Sequence, residues 1–174
     1  MIMRTLMHLD DCKRQFWAFD SFQGFPEIST KDGAGADVPP NMKVGQPGEF
    51  LVSQEIFENN LKALNAWDSR IHVVKGFFNE SIPRVSSQIL SIAFLRLDGD
   101  LYESTIQPLT LLYDKIVTGG IIYVDDFGSF NGCRRAIEEF RASRGITSII
   151  HNIVESGWGG VNNGWVEAVW WKKD

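Results

Sequence analysis

Apolar residues along this chain come in short runs, and three of those runs end in aspartate. Residues 15–19 (QFWAF) have the composition of a buried strand and close at Asp20; residues 92–97 (IAFLRL) close at Asp98; residues 121–124 (IIYV) close at the pair Asp125-Asp126. A fourth run, 71–74 (IHVV), ends instead at Lys75-Gly76. Between these runs the spacing is helical. Ser53 stands where an N-cap belongs, and Ile56, Phe57, Leu61 and Leu64 trace one face of a helix reaching about Trp67. Residues 104–117 carry Leu109, Leu112 and Ile116 on one side and are stopped by Gly119-Gly120; residues 133–144 turn Ala136, Ile137 and Phe140 inward and stop at Gly145.

The opening residues 1–10 place Ile2, Leu6 and Leu9 at helical spacing, so the chain starts in or near a helix. Residues 23–47 break every pattern with Gly33, Gly35, Pro39, Pro40, Gly45 and Pro47, which marks a long loop of the kind that serves as a lid. Runs at 149–154 and 165–171, separated by a Gly- and Asn-rich turn region, predict a closing hairpin. Strands alternating with helices predict an α/β fold: one domain over residues 1–174, with a mostly parallel sheet and a C-terminal antiparallel hairpin.

Composition narrows the function classes. At 174 residues and 44% hydrophobic the chain can fill one core. A net charge of -5, with basic residues in no run longer than a pair, offers no footprint for a nucleic-acid backbone. No segment reaches the roughly 18 apolar residues that span a bilayer, so no membrane partner is expected. Cys12 and Cys133 have no disulfide or zinc spacing, which suits a reduced, cytoplasmic setting.

In an open α/β sheet, ligands bind outside the carboxyl ends of the strands. Asp20, Asp98, Asp125 and Asp126 therefore gather on one rim, and several carboxylates placed together repel unless a cation neutralises them. Oxygen ligands select a hard ion such as Mg2+, Mn2+ or Ca2+. Asp100 reads as a cap for the helix beginning near Tyr102.

The stretches FWAFDSFQGFPE (16–27), KGFFNESIP (75–83), LRLDGDLYEST (95–105) and GGIIYVDDFGSFNGCRRAIEEFR (119–141) resemble the macrocin O-methyltransferase family, whose members methylate sugar hydroxyls of natural products. The resemblance implies a Rossmann-like class I methyltransferase sandwich using S-adenosylmethionine and Mg2+ on a small-molecule acceptor with hydroxyl groups. It implies a metal held by Asp98, Asp125 and Asp126, with Asp98 accepting the proton. Asp20, with Ser21 beside it, matches the position that receives the cofactor's ribose, and Gly76 and Phe77 resemble the adenine side. A homo-oligomer is compatible with all of this.

The family's first strand and glycine-rich turn, which precede the helix at which this chain opens, have no counterpart here, so the resemblance implies an N-terminally truncated version of the fold. Two other functions compete. One is a non-catalytic remnant or binding domain of the same fold. The other is a haloacid-dehalogenase-type phosphatase, suggested by the D-x-D of LDGDLY, although that motif belongs after a first strand and Asp98 lies past the middle of the chain.

Overall fold

The computed structural model describes residues 14–32, 46–154 and 166–174. The expected opening helix (1–10), the middle of the 23–47 loop and the Gly- and Asn-rich turn fall outside them. Strand β1 (Phe16–Asp20) is followed by a 3-10 turn at Thr30–Asp32. Next come α1 (Gln54–Ala63), β2 (Ile71–Lys75), α2 (Phe78–Val85), β3 (Ile92–Leu97) and α3 (Tyr102–Leu112). Strand β4 (Ile116–Val124), α4 (Asn131–Ser143), β5 (His151–Val154) and β6 (Val166–Lys172) complete the chain.

Among the described residues the strands form two sheets. β1 and β2 pair in parallel, Phe16 opposite Ile71 through Asp20 opposite Lys75. The other sheet has the order β3-β4-β6-β5, with β3 and β4 parallel and the last three antiparallel, so the α/β class, the parallel strands and the closing hairpin are all present. Between β1 and β3 there is no ladder. Packing joins the two sheets instead: Ile82 of α2, with Ile89 and Leu112, rests on Trp17 and Phe19 of β1 and on Ile92 and Leu95 of β3.

The larger sheet owns the main core. Leu109, Ile122, Ile137, Val169 and Trp171 are fully buried where α3 and α4 cover β4 and β6. Helix α1 differs. Ser53 caps it as expected, its Oγ accepting the Ile56 N–H at 3.2 Å, yet none of its residues is buried and the apolar face read from the sequence leaves Ile56 and Leu64 exposed.

Two expectations are corrected. The helix over 104–117 ends at Leu112, and β4 already begins at Ile116. Gly119 and Gly120 are no stop: they lie inside β4, where the register against β3 shifts between Ile116 and Ile121, and a positive φ of 77° at Gly119 makes the irregularity possible. Helix α2 had no signal in the pattern, being 8 residues long with Pro83 inside it. Among the described residues, no helix is long and apolar enough to cross a membrane.

Candidate metal and cofactor site

Strand register builds the acidic rim. Leu97 and Val124, the last residues of β3 and β4, are paired and buried, so the chain emerges from both strands side by side. The Asp125 N–H donates to the Leu97 carbonyl at 3.0 Å, holding the two exits together. After Asp98 the backbone doubles back: the Leu101 N–H reaches the Gly99 carbonyl at 2.5 Å, and Asp100 adopts a φ of 61°, a left-handed conformation that aspartate tolerates better than most residues. Together these turns bring Asp98, Asp100 and Asp126 into one group, each offering a carboxylate oxygen within 4.8 Å of the others.

The group is electrostatically unfinished. Asp126 Oδ2 is buried without a hydrogen-bond partner. Burial first, and then the neighbouring Asp100, push the Asp126 carboxyl up to about 9. Burial likewise raises Asp100, with the charges of Asp98 and Asp125 adding to the effect. Carboxyls this close repel when ionised, so without a cation one of them is required to hold a proton. A divalent cation among these oxygens would remove that requirement, since an opposite charge favours the ionised form. Three convergent carboxylates and one orphaned oxygen fit a hard, oxygen-seeking ion.

Asp125 is engaged elsewhere. Its Oδ1 accepts the Tyr123 hydroxyl at 2.7 Å and its Oδ2 accepts Arg96 Nη2 at 2.6 Å. Arg96 also pairs with Asp98, and its guanidinium lies over the Tyr123 ring. Burial, with the bond to Asp125, lifts the Tyr123 hydroxyl to about 12. Of the three metal ligands expected from the sequence, the fold thus brings Asp98 and Asp126 together, while Asp125 sits beside them on a cation of the protein's own. Asp100 joins the cluster rather than capping α3, whose N-cap is Leu101. Arg96 carried no signal as a site residue, because on an alternating strand it reads as an ordinary exposed position.

The smaller sheet places the residues expected at the cofactor. Asp20 is exposed at the end of β1, and its Oδ1 accepts the Phe22 N–H at 2.6 Å. Gly76 follows β2 with a φ of 132°, open only to glycine, and its N–H donates to the Asp20 carbonyl at 2.9 Å. Asp20 and Gly76 are therefore neighbours. Ser21 spends its hydroxyl on its own turn, donating to the Gly24 carbonyl at 3.1 Å and accepting the Gln23 N–H at 3.1 Å. Phe77, half-buried, is the N-cap of α2 and has no side-chain cap bond.

A family model described as Macrocin-O-methyltransferase (TylF) matches residues 1–161. The chain belongs to the macrocin O-methyltransferase family. Among curated proteins, demethyldecarbamoylnovobiocin O-methyltransferase of Streptomyces niveus is 34% identical over 159 residues, covering 90% of this chain and 59% of the relative. Mycinamicin III 3''-O-methyltransferase of Micromonospora griseorubida is 31% identical over 145 residues, 83% of this chain and 56% of the relative. The chain thus spans a little over half the length of these curated relatives. Among solved structures, the O-methyltransferase NovP aligns over 99% of this chain and 65% of its own, with 30% identity and a TM-score of 0.76. A calicheamicin methyltransferase, at 18% identity and a TM-score of 0.69, shares the fold.

Proposed function

We propose that this macrocin-type chain takes part in S-adenosylmethionine- and divalent-metal-dependent methyl transfer to a hydroxyl, on a sugar of a natural product, in a reducing cytoplasmic setting. One observation carries the reading: Asp98, Asp100 and Asp126 converge on a point where a buried carboxylate oxygen has no partner. The activities by which its relatives are named, O-methylation of novobiocin-, rhamnosyl-tetracenomycin- and mycinamicin-type molecules, support the acceptor class. Family membership also favours methyl transfer over the phosphatase reading of LDGDLY.

When bound, the cofactor supplies an electrophilic methyl group and the metal ion an acid that lowers the acceptor hydroxyl's pKa. The protein's part is to hold and deprotonate. Asp98, Asp126 and Asp100 would hold the ion, with Mg2+ keeping some of its waters. Asp125, fixed by Tyr123 and Arg96, lends its charge to the rim and can join the set if Arg96 is released. Asp98, the exposed member of the cluster, would accept the proton that leaves the acceptor. Asp20 would take the ribose hydroxyls, its carboxylate suited to a diol, while Gly76 and Phe77 border the adenine. Ser21 would keep the Asp20 turn in shape.

A second reading, a metal-binding remnant without transfer, is favoured by the separation of the β1-β2 sheet from β3, which leaves the cofactor side and the metal side joined without ladder hydrogen bonds. Calorimetric titration of S-adenosylhomocysteine into the chain in the presence of Mg2+ decides between them. Micromolar binding is the expected result. No binding by a folded chain that does bind the metal would support the remnant.

A further inference from the structure

Asp32 lies in the stretch that the pattern assigned to a loop, yet it is buried. Its Oδ1 accepts the Tyr102 N–H at 2.6 Å, across 70 positions of sequence. Its Oδ2 accepts the Ser29 N–H at 2.9 Å and the Ser29 hydroxyl at 2.8 Å. Tyr102 opens α3, so a carboxylate sits at the positive end of that helix and satisfies one of its orphan donors.

Helix α4 is shaped around the same contact. Gly132 stands in its first turn, where glycine costs about 1 kcal/mol relative to alanine in a helix interior. A Cβ at position 132 would collide with Asp32 Oδ1 and lie 2.9 Å from the Tyr102 nitrogen and 3.1 Å from the Asp32 Cα. The glycine leaves the space through which Asp32 reaches α3. Around it, Lys31 lies over the Tyr102 ring at 4.3 Å and within 3.6 Å of Glu103, and the Tyr102 hydroxyl donates to Glu139 of α4 at 2.7 Å.

Asp32 therefore ties three segments at one point: the stretch that starts at Asp20, the helix that follows Asp98-Gly99-Asp100, and the helix that follows Asp125-Asp126. We infer that Asp32 is a positioning residue that fixes the Asp98–Leu101 turn through the Tyr102 N–H and so sets the geometry of the carboxylate cluster. This rests on the metal-dependent reading, because the consequence to be measured is metal binding. A lost anchor two residues after Asp100 lets the turn relax, and the three carboxylate oxygens then no longer converge.

The test pairs amide hydrogen exchange at Tyr102 with Mn2+ binding followed by electron paramagnetic resonance, in the wild-type chain and in Asp32→Ala, Asp32→Asn and Gly132→Ala. In Asp32→Ala the Tyr102 amide should exchange at least about tenfold faster, and Mn2+ should bind about 10–100-fold more weakly, the range for loss of an outer-shell partner. Asp32→Asn keeps an acceptor for Tyr102 and should recover most of both. Gly132→Ala leaves Asp32 in place but displaces its carboxylate, and should reproduce the alanine result. It also carries the test, with the asparagine variant, if Asp32→Ala does not fold by circular dichroism.

Unchanged Tyr102 exchange in folded Asp32→Ala would overturn the inference. So would faster exchange with unaltered Mn2+ affinity, which would leave Asp32 a purely structural anchor. A wild-type chain that binds no Mn2+ would remove the metal reading and with it the positioning role, while Tyr102 exchange would still show whether the anchor itself exists.

Discussion

The two sheets of this molecule are built to different standards. Around β3, β4 and β6, apolar side chains from both helices and strands are fully buried while the edge strand β5 is exposed, and the loops leaving β3 and β4 are held by a backbone bond in register. Around β1-β2, helix α1 buries none of its residues, and Phe50, Leu51, Val52 and Ile56 remain exposed nearby. The half that carries the acidic cluster therefore holds the larger buried core. The half that carries Asp20 and Gly76 leans on it through α2 and through Asp32.

The largest effect should come from breaking the stronger half. Trp171→Ala removes a fully buried side chain from the main core and should cost about 3–5 kcal/mol of stability in chemical denaturation. A cost below 1 kcal/mol would mean that this half is not the stable one. Next is the rim. Asp126→Asn should weaken Mn2+ binding by more than the roughly 10–100-fold typical of an outer-shell partner while leaving the circular dichroism spectrum intact; Asp98→Asn should behave alike. Full metal affinity in either variant would take that residue out of the site.

On the weaker half, Asp20→Ala should lower affinity for S-adenosylhomocysteine by about 1–3 kcal/mol, the scale of hydrogen bonds to a charged group, without affecting Mn2+. Calorimetry separates the two ligands.

The rim should also report on pH. In chelator, Asp126 holds its proton up to about 9 in the folded chain, whereas an unfolded aspartate releases it near 4. The folded state then binds more protons than the unfolded one, so its contribution is fully present below about 4 and is lost as pH rises toward 9. Melting temperature in EDTA should fall across that window, and saturating Mg2+ should flatten the slope. An equal slope with and without Mg2+ would show that the ion does not meet Asp126. The smallest effect belongs to α1: Ile56→Ser should change stability by no more than about 0.5 kcal/mol, as expected for an exposed position.

Much of this was legible in the residues because burial on both faces of a parallel strand leaves a continuous apolar run, and the first charged residue after it must lie at the sheet's edge. FWAF before Asp20, IAFLRL before Asp98 and IIYV before Asp125 each marked a strand end correctly. Where one apolar pattern ran into another the reading failed: Ile116 continued the period of α3 although it opens β4, and the short α2, interrupted by Pro83, offered too few turns to show a period.

The sequence by itself determined the α/β class, the closing hairpin and the strand ends at Asp20, Asp98 and Asp125, because those follow from local periodicity and from where each run ends. Only the tertiary structure decided which acids meet. Asp125 faces Arg96 and Tyr123 while Asp100 turns toward Asp126, and Asp32 reaches Tyr102 past Gly132. Those choices depend on strand register and on helices packed from distant parts of the chain, and no local pattern encodes a contact between residues 70 positions apart.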